Sequence, residues 1–174
     1  MSDFDLLQLA SDYPPDSKVR EMVDEPTGFR ILLSRGMLGF CCYLGVPAEY
    51  LLAGVEDLRI TCHDGITFQA WGEEGSLWAP GWYWWGWDYQ HAGDLWDIEG
   101  AFAGLGPEGQ ALAARFERLL QPAGGFPRKE WTVDAILQEA RAAAQQLKEQ
   151  LLEAHACTDL ALQALGAAAA RPPT

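Results

Sequence analysis

The chain reads GWYWWGWDYQHAGD at residues 81–94, with four tryptophans in the first seven positions. A run of large aromatic residues fits the pleated surface of a β-strand and would crowd a helix, so it predicts a strand. Because side chains alternate between the faces of a strand, Trp84, Gly86 and Asp88 are expected on one face and the intervening aromatic residues on the other. Gly86 should leave a gap beside Asp88 where a ligand or another backbone can approach.

Two apolar runs bounded by glycines precede this segment. They read GFRILLSRG at 28–36 and GFCCYLGVP at 39–47, and they predict two strands joined by a turn at the glycines between them. The next residues, AEYLLAG at 48–54, predict one helical turn.

The stretch LRITCHDGITFQAW at 58–71 contains two β-rich runs around His63, Asp64 and Gly65. Asp-Gly between such runs is one of the better short hairpin signals, and a continuous strand with a bulge at Gly65 is the alternative. Together with the other runs, this stretch gives about four to five antiparallel strands within residues 28–92.

Helical patterns follow the sheet region. The run at 107–120 carries proline at its first position and predicts a helix. Thr132 is the predicted N-cap of a longer helix, with Asp134 placed favourably in the first turn. An apolar stripe recurs along this helix at positions Ile136, Ala140, Ala143, Leu147, Leu151 and Ala154. The stripe should pack on the sheet or on a second copy, which makes a homodimer through residues 132–154 one alternative.

These patterns predict a single α+β domain over residues 1–174. It would comprise an N-terminal arm at 1–27, helical in its first 16 residues, a tryptophan-rich sheet region at 28–105 and a helical region at 106–170. The small antiparallel sheet is expected to be packed by the long C-terminal helix and by the shorter helix that precedes it.

The net charge of −13 favours solubility and works against direct binding to nucleic acid or to an anionic membrane, because both need positive patches. No basic residue lies between Arg59 and Arg115, a stretch that holds eight acidic residues. This anionic block predicts a solvated face, a surface for a basic protein, or a site for a cation. A surface of this kind can also imitate nucleic acid and mask a basic host protein.

The chain shows neither the start of a secretory signal nor a run of roughly 20 apolar residues, so we expect a cytoplasmic protein with no membrane contact. Its cysteines, Cys41, Cys42, Cys62 and Cys157, form no CxxC pair, and we expect them to be reduced structural residues.

A group of polar residues lies among the aromatic residues and forms the candidate site. If the strand containing His63 runs straight, His63 can meet Asp88 across the sheet. The aromatic residues would then form a slot for a planar or sugar-containing molecule, such as a small nucleotide-like ligand. The predicted ligand-binding residues are His63, Thr67, Trp84, Trp85, Asp88, His91 and Asp94.

No cofactor is required by this interpretation, but one divalent metal ion is the alternative. Imidazole and carboxylate ligands suit Zn, Mn or Fe, and His63, Asp88, His91 and Asp94 are the alternative ligands. A metal-free acid-base pair of His91 with an aspartate is a third interpretation. In a fourth, the tryptophans belong to the core and the polar residues cap turns.

Four blocks of the chain carry a resemblance to a known family. They are CYLGVPAEY at 42–50, HDGITF at 63–68, WWGWDYQHAGD at 84–94 and WTVDAILQEARAAAQQL at 131–147. In order and spacing they resemble a family of small bacteriophage and mobile-element proteins with HGG(L/I)T(F/Y) and WWxGFDxxHxGD motifs. The resemblance covers about residues 28–150.

The chain departs from the family pattern at several positions. Asp64 stands where the family usually has glycine, Trp87 stands where phenylalanine is usual, and Glu49-Tyr50 replaces a His-Pro pair. The missing histidine weakens any metal scheme that would have used it.

The family brings no activity, so the resemblance implies only a phage setting inside a bacterial host cell. Together with the residues, it predicts an accessory protein that binds a small nucleotide-like ligand or a host protein, for example to inhibit host defence. The alternatives are a metal-dependent hydrolase with a His/Asp site and an acidic nucleic-acid mimic.

Overall fold

The tryptophan-rich segment forms one of five strands in an antiparallel sheet. The computed structural model describes residues 16–120 and 128–169. The strands are β1 (Lys18–Val23), β2 (Arg30–Arg35), β3 (Phe40–Pro47), β4 (Phe68–Trp71) and β5 (Trp82–Asp88). The helices are α1 (Ile98–Phe102), α2 (Gly106–Leu120) and α3 (Val133–Ala169), with a 3-10 turn at Ala103–Leu105. The spatial order of the strands is β1-β2-β3-β5-β4, so the α+β class is confirmed.

The two faces of β5 enter two different apolar clusters, as the period-two pattern predicts. Tyr83, Trp85 and Trp87 belong to the main core, which lies between the sheet and α3. Trp84 lies on the opposite face with Leu32. The strand is therefore buried on both sides, which explains why it is almost entirely apolar.

Helix α3 covers the first face of the sheet. Thr132 caps it as predicted, because its Oγ1 accepts a hydrogen bond from the backbone N–H of Ala135 at 3.2 Å. The predicted apolar stripe is buried from Ile136 to Leu151 and packs in the main core. Since its own sheet covers this stripe, the stripe is not free to pair with a second copy.

The opposite face of β5 is covered by residues 77–79 of the loop between β4 and β5. Trp78 stacks on Phe68 with ring centroids 4.4 Å apart, and Tyr43 meets both rings edge-on. Tyr43 also fills the space beside Gly86, where a Cβ would lie 2.4 Å from Cδ1 of Tyr43. The gap predicted at Gly86 therefore receives a side chain of the protein itself and leaves no room for a ligand.

Gly86→Ala is expected to lower the free energy of unfolding by about 1 to 3 kcal/mol, because the added methyl group must displace the ring of Tyr43. Urea denaturation measures the change. The control is Gly104→Ala, at an exposed position where a Cβ meets nothing within 4 Å, with an expected change within about 0.5 kcal/mol. Equal midpoints for the two variants would contradict the packing described.

Three sequence predictions about residues 18–62 need correction. Residues 18–23, assigned to the N-terminal arm, form the edge strand β1, which pairs with β2. The run at 58–62 forms no strand, so the hairpin around Asp64 and the bulged alternative are both wrong. The helical turn predicted at 48–54 is a series of non-helical turns. The helix predicted within residues 1–16 lies almost entirely outside the described residues.

The shorter helix, α2, also differs from expectation. Within the described residues it packs on α1 and makes no contact with the strands. Leu112 and Phe116 are exposed, while Ala113 is buried. The covering of the sheet by helices thus comes from α3 alone.

A buried ion pair joins the β2–β3 hairpin to α1. The guanidinium of Arg35 bonds the carboxylate of Asp97, and both side chains are 1% exposed. Arg35 also donates to the carbonyl oxygen of Gly39 at 3.1 Å, and Asp97 accepts from the backbone N–H of Gly100 at 2.8 Å. Burial is the largest influence on the pKa of Arg35 and lowers it, although Asp97 acts in the opposite direction.

Within the described ranges, no helix has both the length and the apolar character that a membrane span needs.

Candidate functional site

Side chains of α3 hold the segment that carries His63. The backbone N–H groups of Arg59 and Thr61 donate to the side-chain oxygens of Gln150 at 3.1 Å and Gln146 at 2.8 Å. The N–H of His63 donates to the carboxylate of Glu139. These glutamine and glutamate groups take the place of a neighbouring strand, which is why an alternating sequence lies extended here without joining the sheet.

A tight turn then presents Asp64 to solvent. The N–H of Gly65 donates to the carbonyl oxygen of Cys62 at 3.2 Å, and Asp64 has a φ of 48°. Aspartate is among the residues that tolerate this left-handed region. The Asp-Gly pair therefore does mark a turn, although it connects no hairpin.

The second segment of the site follows the end of β5. Asp88 accepts a hydrogen bond from the N–H of Gln90 at 3.1 Å, and a 3.4 Å bond from Oγ1 of Thr67. His91 and Asp94 then bond reciprocally, from the N–H of Asp94 to the carbonyl oxygen of His91 and from the N–H of His91 to the Asp94 carboxylate, each at 2.9 Å. This turn directs the His91 ring toward Asp64 and Asp88.

The carboxylate of Asp94 is the buried centre of the site, with 2% exposure. Its Oδ1 accepts from Nε1 of Trp131 at 2.7 Å, and its Oδ2 lies 2.9 Å from Nε2 of His63. Burial is the largest single influence on the pKa of Asp94 and would raise it, but the hydrogen bonds from Trp131, His63 and the His91 N–H outweigh burial and lower the pKa. Asp94 is thus an ionised acceptor at neutral pH, so Nε2 of His63 carries the proton.

Aromatic rings fix the orientation of His63. Its ring stacks on Tyr89 with centroids 5.0 Å apart and planes 6° apart, and it meets Trp131 edge-on at 4.8 Å. The ring of His91 lies 5.3 Å away. The two imidazoles, from residues 28 positions apart in the chain, therefore meet edge-on.

Asp64 lies between the two imidazoles. Its Oδ2 is 3.5 Å from Nδ1 of His91 and 3.9 Å from Nε2 of His63. One ligand atom from each of these three residues lies within 4.8 Å of the others. A tetrahedral zinc ion with ligands about 2.1 Å away would hold its ligand atoms roughly 3.4 Å apart, so the group is close to metal-binding geometry.

One nitrogen in this group lacks a hydrogen bond. Nε2 of His91 is buried and unpartnered within the described residues, with the nearest carboxylate oxygen, Oδ1 of Asp88, 3.7 Å away. A buried polar atom without a partner calls for an explanation, such as a bound ion or water that changes the position of the ring. A small rotation of His91 would let Nε2 donate to Asp88 while Nδ1 faces Asp64.

The site therefore brings together five of the seven predicted ligand-binding residues. These are His63, Thr67, Asp88, His91 and Asp94. His63 and Asp88 do not bond each other directly, since His63 bonds Asp94.

Trp84 and Trp85 do not belong to the site. Both are completely buried, and their indole N–H groups donate to the carbonyl oxygens of Ala79 and Val55. The aromatic slot predicted from these two residues is therefore not formed, because their rings fill the two cores.

Sequence reasoning missed Asp64, Trp131 and Lys129 as members or neighbours of the site. Asp64 could have been found from its position next to His63. Trp131 and Lys129 follow Asp94 by more than 30 residues, and no spacing rule connects them to it. Pairing of Lys129 with Asp94 in an isolated β-bridge brings them together.

The cysteines near the site are unsuited to nucleophilic chemistry. Burial raises the pKa of Cys62 to about 11, and that of Cys41 to about 11. A thiol attacks as the thiolate, so these groups stay protonated and unreactive at neutral pH.

Comparison of the chain with protein-family models, with curated proteins and with solved structures gave no match.

Proposed function

We propose that this protein works by binding, with a divalent metal ion held by His63, Asp64 and His91 at the centre of the binding site. The observation that supports this proposal most strongly is the approach of three ligand atoms to within 4.8 Å of one another. The His91 ring is suited to such a role, because Nδ1 faces Asp64 while the unpartnered Nε2 lies toward Oδ1 of Asp88.

The donor set favours a transition metal. Two imidazoles and one carboxylate suit Zn, Mn or Fe, whereas Ca and Mg prefer oxygen ligands. Oδ1 of Asp88, 3.7 Å from Nε2 of His91, can orient that ring through the nitrogen that faces away from Asp64, an arrangement common among metal-binding histidines. An ion bound at Nε2 of His63 would replace the proton shared with Asp94, so binding should weaken as the pH falls.

The chelator-treated protein is expected to bind Zn²⁺ with one ion per chain in isothermal titration calorimetry. His91→Ala and Asp64→Gly should each lower the affinity by about tenfold or more, because each removes one of three ligands. Neither change removes a buried hydrogen bond, and glycine suits the φ of 48° at residue 64. Circular dichroism should therefore show folded variants.

The matched control is His155→Ala, which removes an exposed histidine of α3. Its zinc affinity should equal that of the unaltered protein. Zinc binding that survives in both His91→Ala and Asp64→Gly, or is absent from the unaltered protein, would rule out this site.

A metal-dependent hydrolase is the second candidate. It is favoured by the number of ligands, because three protein ligands leave a position open for water that the ion can activate. The zinc-loaded protein should then cleave bis(p-nitrophenyl) phosphate faster than His91→Ala does. Equal rates for the two proteins would leave binding as the proposed function.

The biological setting that we propose is that of a phage-type accessory protein in the cytoplasm of a bacterial host. What supports it is the resemblance of the motif blocks, together with an acidic charge that suits a basic host protein. Phage plating on cells that carry a defence system and produce either the protein or its His91→Ala variant tests a role against host defence. Equal plating efficiency on these two strains would argue against such a role.

A further inference from the structure

Lys129 is a basic residue placed beside an acidic site. Its backbone N–H donates to the carbonyl oxygen of Gly93 and its carbonyl oxygen accepts from the N–H of Leu95, both at 2.8 Å. These two bonds fasten the residues before α3 to the turn that carries Asp94. The position of Lys129 is thus set by the same turn that positions His91.

The ammonium group of Lys129 lies over an aromatic ring next to the proposed metal ligands. Its Nζ is 3.2 Å from the centre of the Trp131 ring, which in turn lies 4.8 Å from the ring of His63. The ammonium therefore lies within about 8 Å of the centre of the His63 ring. Such a cation–π contact holds the long side chain in place without neutralising its charge.

Lys129 makes no ion pair with any carboxylate in the described part of the chain, although the protein carries a net charge of −13. An ammonium has three donor hydrogens and no acceptor. Its side chain is exposed, and among residues 16–120 and 128–169 none accepts a hydrogen bond from its ammonium, so these hydrogens can bond an incoming anion.

The charges of the site make anion binding conditional on the metal. The carboxylates of Asp64, Asp88 and Asp94 would repel an anion from the empty site despite Lys129. A divalent ion together with Lys129 offsets these three charges and leaves an open coordination position, which an oxyanion can occupy.

We propose that the metal-loaded site binds a phosphate group, with one oxygen on the ion and another accepting hydrogen bonds from the ammonium of Lys129. The inference rests on the proposed metal site and names its ligand class: a phosphate-bearing small molecule. Lys129 would act here as a point charge, which is how lysine commonly binds phosphate.

The test uses the full chain loaded with less than one equivalent of Mn²⁺, so that the ion is bound, and inorganic phosphate as the probe. Bound Mn²⁺ should broaden the ³¹P resonance of phosphate in a saturable manner. Lys129→Gln should weaken phosphate binding by about tenfold or more, because it removes a charge-assisted hydrogen bond, while metal affinity by calorimetry stays unchanged. Lys129→Arg should retain most of the binding.

The control is Lys148→Gln, which replaces a half-buried lysine of α3 whose ammonium donates to the carbonyl oxygen of Pro26, and it should bind phosphate like the unaltered protein. Adenosine monophosphate and adenosine serve as further probes. Tighter binding of the monophosphate than of inorganic phosphate assigns the ligand to phosphate esters. Equal binding of the monophosphate and inorganic phosphate assigns it to free phosphate. Phosphate binding that is unaffected by Lys129→Gln, or absent from the metal-loaded protein, overturns the inference and leaves the metal site standing. Failure to bind metal overturns both proposals.

Discussion

Asp97→Ala is expected to lower the free energy of unfolding by about 3 to 5 kcal/mol, the range found when one partner of a buried ion pair is removed. The guanidinium of Arg35 would remain 1% exposed with no carboxylate beside it. Its Nε already lacks a hydrogen-bond partner within the described residues, so the protein offers little compensation. Urea denaturation monitored by tryptophan fluorescence measures the loss.

The control for this prediction is Glu21→Ala, which removes the partner of two more exposed cations, Lys18 and Arg30. We expect a change of about 1 kcal/mol or less, because solvent screens such pairs. The double variant Arg35→Met with Asp97→Leu should recover much of the loss, since apolar residues can replace a buried pair. Similar losses for Asp97→Ala and Glu21→Ala would mean that the ion pair does not hold α1 on the hairpin.

Asp94→Asn is expected to lower the free energy of unfolding by about 2 to 4 kcal/mol at neutral pH. The carboxylate accepts bonds from Trp131, His63 and the His91 N–H, and bonds to a charged acceptor are about twice as strong as neutral ones. An amide keeps the shape but brings its own hydrogens against groups that donate. Denaturation with urea at several pH values measures both the loss and its pH dependence.

The pH dependence follows from the lowered pKa of Asp94 in the folded protein. A carboxylate of this kind stabilises the fold fully above its unfolded pKa of about 3.9, and the contribution is lost as the pH falls through the folded pKa. The difference between the unaltered protein and Asp94→Asn should therefore shrink below about pH 4. Asp88→Asn is the control. If the difference in stability between the unaltered protein and Asp94→Asn stays constant from neutral to acidic pH, the role assigned to the charge of Asp94 is contradicted.

The features that the sequence predicted correctly depend on local rules. The alternation of β5, the turn between β2 and β3, and the cap and stripe of α3 each follow from a spacing that one element imposes on its own residues. Strands β2, β3 and β5 and the main covering helix could therefore be predicted before any long-range contact was known.

The features that it did not predict depend on distant partners. Strand β1, KVREMV, has the mixed polarity of an edge strand and gives little apolar signal. The run at 58–62 has the pattern of a strand, but Gln146 and Gln150 of α3 take its N–H groups. Completely buried rings such as Trp84 have the same sequence signature as a ligand slot.

The candidate site was predicted only in part, because some of its residues also depend on partners that are distant in the chain. His63, His91 and Asp94 were found because polar residues were few among so many aromatic ones. Lys129 and Trp131 were missed because an isolated bridge, which has no sequence pattern, brings them to Asp94.

The attachment of His63 to Glu139 has a consequence for the order of events during protein synthesis. Strands β1 to β5 are synthesised before α3, and they can begin to associate as they emerge from the ribosome. The segment carrying His63 then has no helix to hold its backbone, and Asp94 has no indole to bond. The geometry of the proposed ion site can therefore arise only after α3 has been translated and has docked, so a nascent chain would present the sheet without this site.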